Sequence, residues 1–386
     1  MMWEDRSIHW SICNTRYFNV ADNCFRSGDV EICGREVVAI SPPGSARSQL
    51  TIDDGNMICV PGLTGDLVVD HGDRQFDCAA YVRDALLGGV TTVSIATERH
   101  AEIAPTLRRL GVRAEIYCAR RDQALGCHSG ANADNLAKVI DAYRADVRAL
   151  EQERIRISPA ITSQLSVSSR LTIKLHEIAK ANGKRLLVNV DSGRPHYDVF
   201  RDVYSCSGTM LLRTLNVLDS STTAILDASA TRRDVDILVD SDAGVGVMDV
   251  PAMMAARKGE LNLKRVVRAQ RGALMCRNVI PFATSDDVSD IHSAFGWTSL
   301  ETVNGIADVI VKMMTGAGSA ALGLQAVGRI AQGSSADLLL YESQKLPGWA
   351  AMSDDHLLLD LIAAKRPRFV VTDGQWRVRN YALSER

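Results

Sequence analysis

Between two β-rich ends, this chain alternates short apolar runs with amphipathic helical stretches, and that alternation limits its architecture most. Apolar runs at 91–96, 112–118, 155–157, 185–190, 223–226, 244–247 and 279–283 read as strands. Helical patterning fills several of the gaps: 78–87 precedes the first run, a second helix ends at Gly111, and a third, 169–182, is stopped by Gly183. Strands joined through helices run parallel and are covered on both faces. This many in series favours a closed parallel barrel over an open sheet. The ends read differently. Residues 8–60 carry apolar runs at 30–32, 37–40 and 57–60 separated by turn residues, and 336–342 and 368–380 continue the pattern. The last of these predicts a hairpin turning at Asp373 and Gly374.

Length and charge narrow the function classes. A closed α/β barrel takes roughly 250 residues, so a chain of 386 leaves enough at its ends for a second, smaller unit. A net charge of −2 gives no polyelectrolyte signal, so no nucleic-acid partner is expected. No apolar run approaches the ~20 residues that span a bilayer, so no membrane partner is expected either. The first ten residues include two acidic side chains and no apolar leader core, which predicts a cytoplasmic protein. Its nine cysteines, none in a CxxC pair, then read as reduced thiols.

Five fragments, in order, resemble the amidohydrolase superfamily, specifically its chlorohydrolase and deaminase branch. Pro61, Gly62 and Leu63 open a segment similar to the family's first barrel strand, "PGLI(N/D)xHxH". Residues 88–93, GGVTTV, match the approach to its second strand, and 201–219 are similar to the helix before its sixth. Asn262, Leu263 and Lys264 match an "NLK" element, and 313–340 resemble the segment joining the last barrel helix to the terminal strands. The resemblance implies an α/β fold: a distorted (β/α)8 TIM barrel over 61–327, with a small β-sandwich built from 1–60 and 328–386. It also implies a homodimer.

The same resemblance sets out the site. The two histidine positions of the first strand fall on Leu67 and Val69, the fifth-strand histidine on Asn189, and the sixth-strand histidine on Asp227. The family's glutamate falls on Ser192, and its eighth-strand aspartate on Asp286, with Asp287 one step away. Aliphatic side chains coordinate neither Zn²⁺ nor Fe²⁺. The expectation is therefore no metal and no cofactor, with a cation on Asp70, His71 and His100 as a weaker option. Strand alternation aims Leu67 and Val69 into the barrel and turns Asp66 and Asp70 away. Asp286 and Asp227 are the candidate acid and base, and Asn189, Ser192, Glu98 and His100 the candidate substrate-binding residues. Two carboxylates facing one cavity suit either a cationic nitrogenous group or proton transfer by a pair with separated pKa values.

Two functions fit. One is a metal-independent enzyme acting at a C–N bond of a small nitrogen-rich molecule, by cyclisation, dehydration or hydrolysis. The other is a catalytically dead relative that binds a ligand or serves as a scaffold, whose barrel would fill with apolar side chains.

Overall fold

Alternation along the chain becomes alternation in space. A computed structural model describes residues 8–53, 56–64, 66–70, 76–123, 136–190, 194–226, 230–247, 273–276, 312, 314–324, 326–345, 352–364 and 366–384. The chain begins with β1 (His9–Asn19), β2 (Cys24–Cys33), β3 (Glu36–Ser41), β4 (Leu50–Ile52) and β5 (Met57–Pro61). The first half of the barrel follows: β6 (Asp66–Val69), α1 (Cys78–Leu87), β7 (Thr92–Thr97), α2 (His100–Leu110), β8 (Arg113–Ala119), α3 (Leu136–Leu150), β9 (Ile155–Ile161) and α4 (Ser169–Ala181). Its second half holds β10 (Leu186–Asn189), α5 (Arg194–Tyr204), α6 (Gly208–Thr214), β11 (Thr222–Leu226), α7 (Arg232–Asp240), β12 (Gly244–Val247), β13 (Ala273–Cys276) and α8 (Gly316–Ala321). The chain ends with β14 (Leu338–Glu342), α9 (Asp354–Ala364), β15 (Phe369–Thr372), β16 (Gln375–Arg379) and β17 (Ala382–Leu383).

Strands β6 to β13 pair in parallel and close into a barrel, with β13 hydrogen-bonded to β12 on one side and to β6 on the other. The expected last strand, 279–283, lies outside the described residues; the strand that closes the ring comes earlier, at Ala273–Cys276. The segment 201–219, read as one helix, is two. Ser205 takes a positive φ of 55°, which ends α5, and Ser207 then caps α6 by accepting from the Met210 amide at 3.3 Å. Local signals elsewhere match their elements. Asp77 caps α1 by accepting from the Ala79 and Ala80 amides, and Gly111, at φ 66°, ends α2 in the left-handed conformation.

Each barrel strand sorts its side chains by period two. On β8, Ala114, Ile116 and Cys118 face the helical layer, whereas Tyr117 joins Leu67, Ala96, Ala160, Leu187 and Ile225 in a separate interior cluster. Ala321 and Leu322 complete that cluster, and the Thr223 hydroxyl donates to the Ala321 carbonyl at 2.8 Å, which fixes the end of α8 beneath the ring.

The two chain ends meet in one nine-stranded sheet, ordered β17-β16-β15-β14-β5-β1-β2-β3 with β4 on β1. Trp10 on β1 and Trp376 on β16 stand four strand positions apart, about 19 Å in a flat sheet. Their ring centroids are 5.1 Å apart, so the sheet curls back on itself around an apolar core of its own. The predicted hairpin forms at Asp373 (φ 52°) and Gly374 (φ 71°), two successive positive φ angles as a type I′ turn requires.

Candidate functional site

In parallel barrels the chemistry sits where the strands end, and here the described part of that mouth is apolar with a few polar atoms set into it. Leu67 is fully buried in the interior cluster, and half-buried Val69 packs against the same cluster above it. Both therefore face inward, as strand alternation predicts. Asp70 turns away: its carboxylate accepts from the Thr97 hydroxyl at 2.8 Å and from Arg99 at 2.9 Å and 3.1 Å.

Asn189 ends β10 on the inward side, 1% exposed. Its Nδ2 donates to the Thr162 carbonyl at 3.2 Å, which fixes the amide orientation and leaves Oδ1 buried with no hydrogen-bond partner. Gln164 repeats the pattern just past β9. Its Nε2 donates to the Gly208 carbonyl at 3.3 Å, while Oε1 is buried and unpartnered. Deeper in the barrel the Tyr117 hydroxyl is likewise buried without a partner, and burial pushes its pKa up. A buried acceptor left without a donor costs about 1–3 kcal/mol, so a site that keeps such atoms is suited to a ligand that supplies N–H or O–H groups.

The other candidate residues separate. Asp227, Asp286 and Ser192 lie outside the described residues. Glu98 is exposed in the turn after β7, 3.5 Å from Arg121, and so sits at the rim. His100 requires a correction. It starts α2 and turns into the layer between wall and helices, where its Nε2 lies 3.0 Å from Asp146 on α3 and both stand beside outward-facing Cys118. The barrel wall lies between it and the interior, so it does not line the pocket. The expectation failed because a residue just past a strand end belongs either to the mouth or to the following helix, and here helix packing decides.

Sequence reasoning missed Gln164 and Tyr117. Tyr117 was reachable, because it shares inward parity with Glu115 and Ala119 on β8. Gln164 carries no such signal; only the short 3₁₀ turn Gln164–Ser166 after β9 positions it.

The N-terminal ends of the strands form a floor of different character. Arg113, at the start of β8, donates to Asp337 at 3.3 Å, to Ser335 at 2.7 Å and to Asp373, all on the terminal sheet or its approach. Arg154 donates to the second oxygen of Asp373 at 2.7 Å. Burial works to raise the Asp373 pKa, but Arg113 and Arg154 outweigh it and hold the carboxyl below its ordinary value.

No family model matches the sequence, and no curated protein matches it. Solved structures do. A triazine hydrolase from Arthrobacter aurescens superposes with a TM-score of 0.75 over 98% of this chain and 96% of its own, at 16% identity. A zinc complex of the atrazine chlorohydrolase from the same species gives 0.75, covering 97% and 96% at 16% identity. A zinc-bound adenosine deaminase from Xanthomonas campestris gives 0.73, covering 98% and 94% at 14% identity. The chain thus has the amidohydrolase fold over nearly its whole length. Zinc, present in two of these structures, does not fit the described mouth of this one. Leu67 and Val69 offer no donor atom, and Asn189 offers only a carboxamide, whereas zinc takes imidazole, thiolate or carboxylate.

Proposed function

We propose that this chain is an enzyme acting at a C–N bond of a small, nitrogen-rich molecule, with no metal ion at the barrel mouth. The observation that carries the reading is the Asn189 Oδ1, buried at a strand end with its amide orientation fixed and no donor facing it. A substrate N–H supplies that donor. Atrazine and adenosine, named in the activities of the structural neighbours, are both nitrogen-rich rings, which supports the substrate class.

Without a metal-bound hydroxide, the chemistry that fits is one in which the substrate brings its own nucleophile: cyclisation by amine or amide attack, dehydration, or opening of an activated ring. Positioning then supplies much of the rate. In a cyclisation, the substrate nitrogen attacks a carbonyl carbon and its proton passes to one carboxylate of the Asp286 and Asp227 pair. A carboxylic acid of the same pair then protonates the departing oxygen or nitrogen, which leaves as water or an amine. Two carboxylates that share one cavity can hold separated pKa values, which is what an acid and base pair needs. Asn189 and Ser192 orient the substrate, and the chain works as a homodimer in the cytoplasm.

The test is turnover of a panel of amidines, guanidines, ureas and their open-chain amine precursors by exhaustively chelated protein, followed by mass spectrometry. A product formed at an undiminished rate after chelation supports the reading. Activity that chelation removes and zinc restores overturns it.

A second reading has its own observation. Leu67, Tyr117, Leu187 and Ile225 fill the barrel interior with apolar bulk, as expected of a binding or scaffold protein that has given up catalysis. Saturable binding across the same panel with no product would favour it.

A further inference from the structure

Directly behind the barrel wall, His100, Cys118 and Asp146 bring an imidazole, a thiol and a carboxylate within 4.8 Å of one another, from α2, β8 and α3. We propose that these three side chains form a binding site for a divalent transition cation of the zinc class, separate from the barrel mouth. The donor set is one that zinc takes, and a tetrahedral ion spaces such donors roughly 3.3–3.8 Å apart, within reach of small side-chain rotations here. His100 is 7% exposed and Cys118 fully buried, so water competes poorly for the ion. The imidazole presents Nε2 to the cluster, 3.0 Å from Asp146.

One cation already stands in this pocket. The Arg120 guanidinium pairs with Asp146 and lies 5.9 Å from the centre of the Tyr143 ring. It balances the carboxylate, so the cluster is electrically satisfied as it stands. Arg120 is also the first residue past the end of β8, with its side chain 13% exposed, so the ion must displace it toward that open side. A dication entering the pocket takes over the charge on Asp146 and displaces the Cys118 proton to solvent, and repulsion drives the guanidinium out. Arg120 is thus a built-in competitor that sets the affinity, and the bound ion would tie α2 and α3 to the wall.

The site is independent of the reading given for the barrel mouth, and its test does not use activity. Full-length protein, stripped with chelator, is titrated with Co²⁺, and the near-ultraviolet thiolate-to-cobalt band is followed, with Zn²⁺ as competitor. The expected result is one equivalent bound with a thiolate band. Cys118→Ser should abolish the band, Asp146→Asn should weaken binding, and Arg120→Gln should tighten it about tenfold or more, the scale on which neighbours of metal ligands act. No band in the native protein, or a band that persists in Cys118→Ser, overturns the proposal. If Cys118→Ser fails to fold, the Arg120→Gln titration decides: affinity unchanged or weakened overturns it.

Discussion

The floor carboxylates of this barrel and the Asn189 amide at its mouth are paired to different extents. At the floor, all four carboxylate oxygens of Asp337 and Asp373 have donors: Arg113, Arg154, Ser335 and the Asp373 amide among them. At the mouth, the amide oxygen of Asn189 is buried with none. Complete pairing of these two carboxylates joins the terminal sheet to the barrel; the unpaired Asn189 oxygen at the other end is open to a ligand donor. The contrast assigns stability to the floor and recognition to the mouth, and it can be broken at either end.

The largest effect belongs to the proposed acid and base. Asp286→Asn is expected to lower kcat on the true substrate by about 10²–10⁴-fold, the range for loss of a general acid or base, with folding unchanged. Unaltered turnover would remove Asp286 from the chemistry.

At the floor, Arg113→Met removes a cation shared by two buried carboxylates and should cost about 3 kcal/mol in a urea melt, the low end for one partner lost from a buried pair because Arg154 still holds Asp373. The same clamp carries a pH signature. Because Arg113 and Arg154 outweigh burial and hold the folded-state pKa of Asp373 below its unfolded value, near 3.9, its contribution is present above that value. It is lost as pH falls through the folded pKa. Native protein should therefore weaken on acidification below about pH 4, and Arg113→Met should weaken less over the same interval. Equal acid sensitivity of the two would show that the clamp does not act through charge.

Three further substitutions probe the interior. Leu67→Ala opens a cavity in a closed cluster and should cost about 2–5 kcal/mol, whereas Val69→Ala, at a half-buried position, should cost visibly less by the same melt. Asn189→Leu should change stability least, by about 1 kcal/mol or less, because it removes an unpaired acceptor along with one hydrogen bond. Ligand affinity, read by calorimetry, should fall nonetheless. A large stability loss there would make Asn189 a structural residue.

Legibility followed how local each determinant was. The α1 boundaries were readable because Asp77 and the apolar period over 78–87 are local signals, and the turn at Asp373 and Gly374 because positive φ favours those residue types. That Leu67 and Val69 share a face followed from strand alternation, and the family resemblance made that face the inward one. The break at Ser205 was missed because serine carries little left-handed preference, and α6 packs on its neighbours for reasons that lie far along the chain. His100 was misplaced for a related reason: its partner Asp146 is 46 residues away, and no spacing rule connects a helix start to the face of another helix.

By itself the sequence determined the alternation of strands and helices, and hence a parallel barrel with β structure at both ends. It also determined that Leu67, Val69 and Asn189 bring no imidazole, thiolate or carboxylate to their positions, since side-chain chemistry needs no coordinates. Only the tertiary structure decided which polar atoms end up paired. It seated Arg113 on two distant aspartates, left the Asn189 oxygen without a donor, and gathered His100, Cys118 and Asp146 behind the wall. Pairing depends on distance in space, and residues far apart in sequence come within hydrogen-bond range only once the barrel has closed.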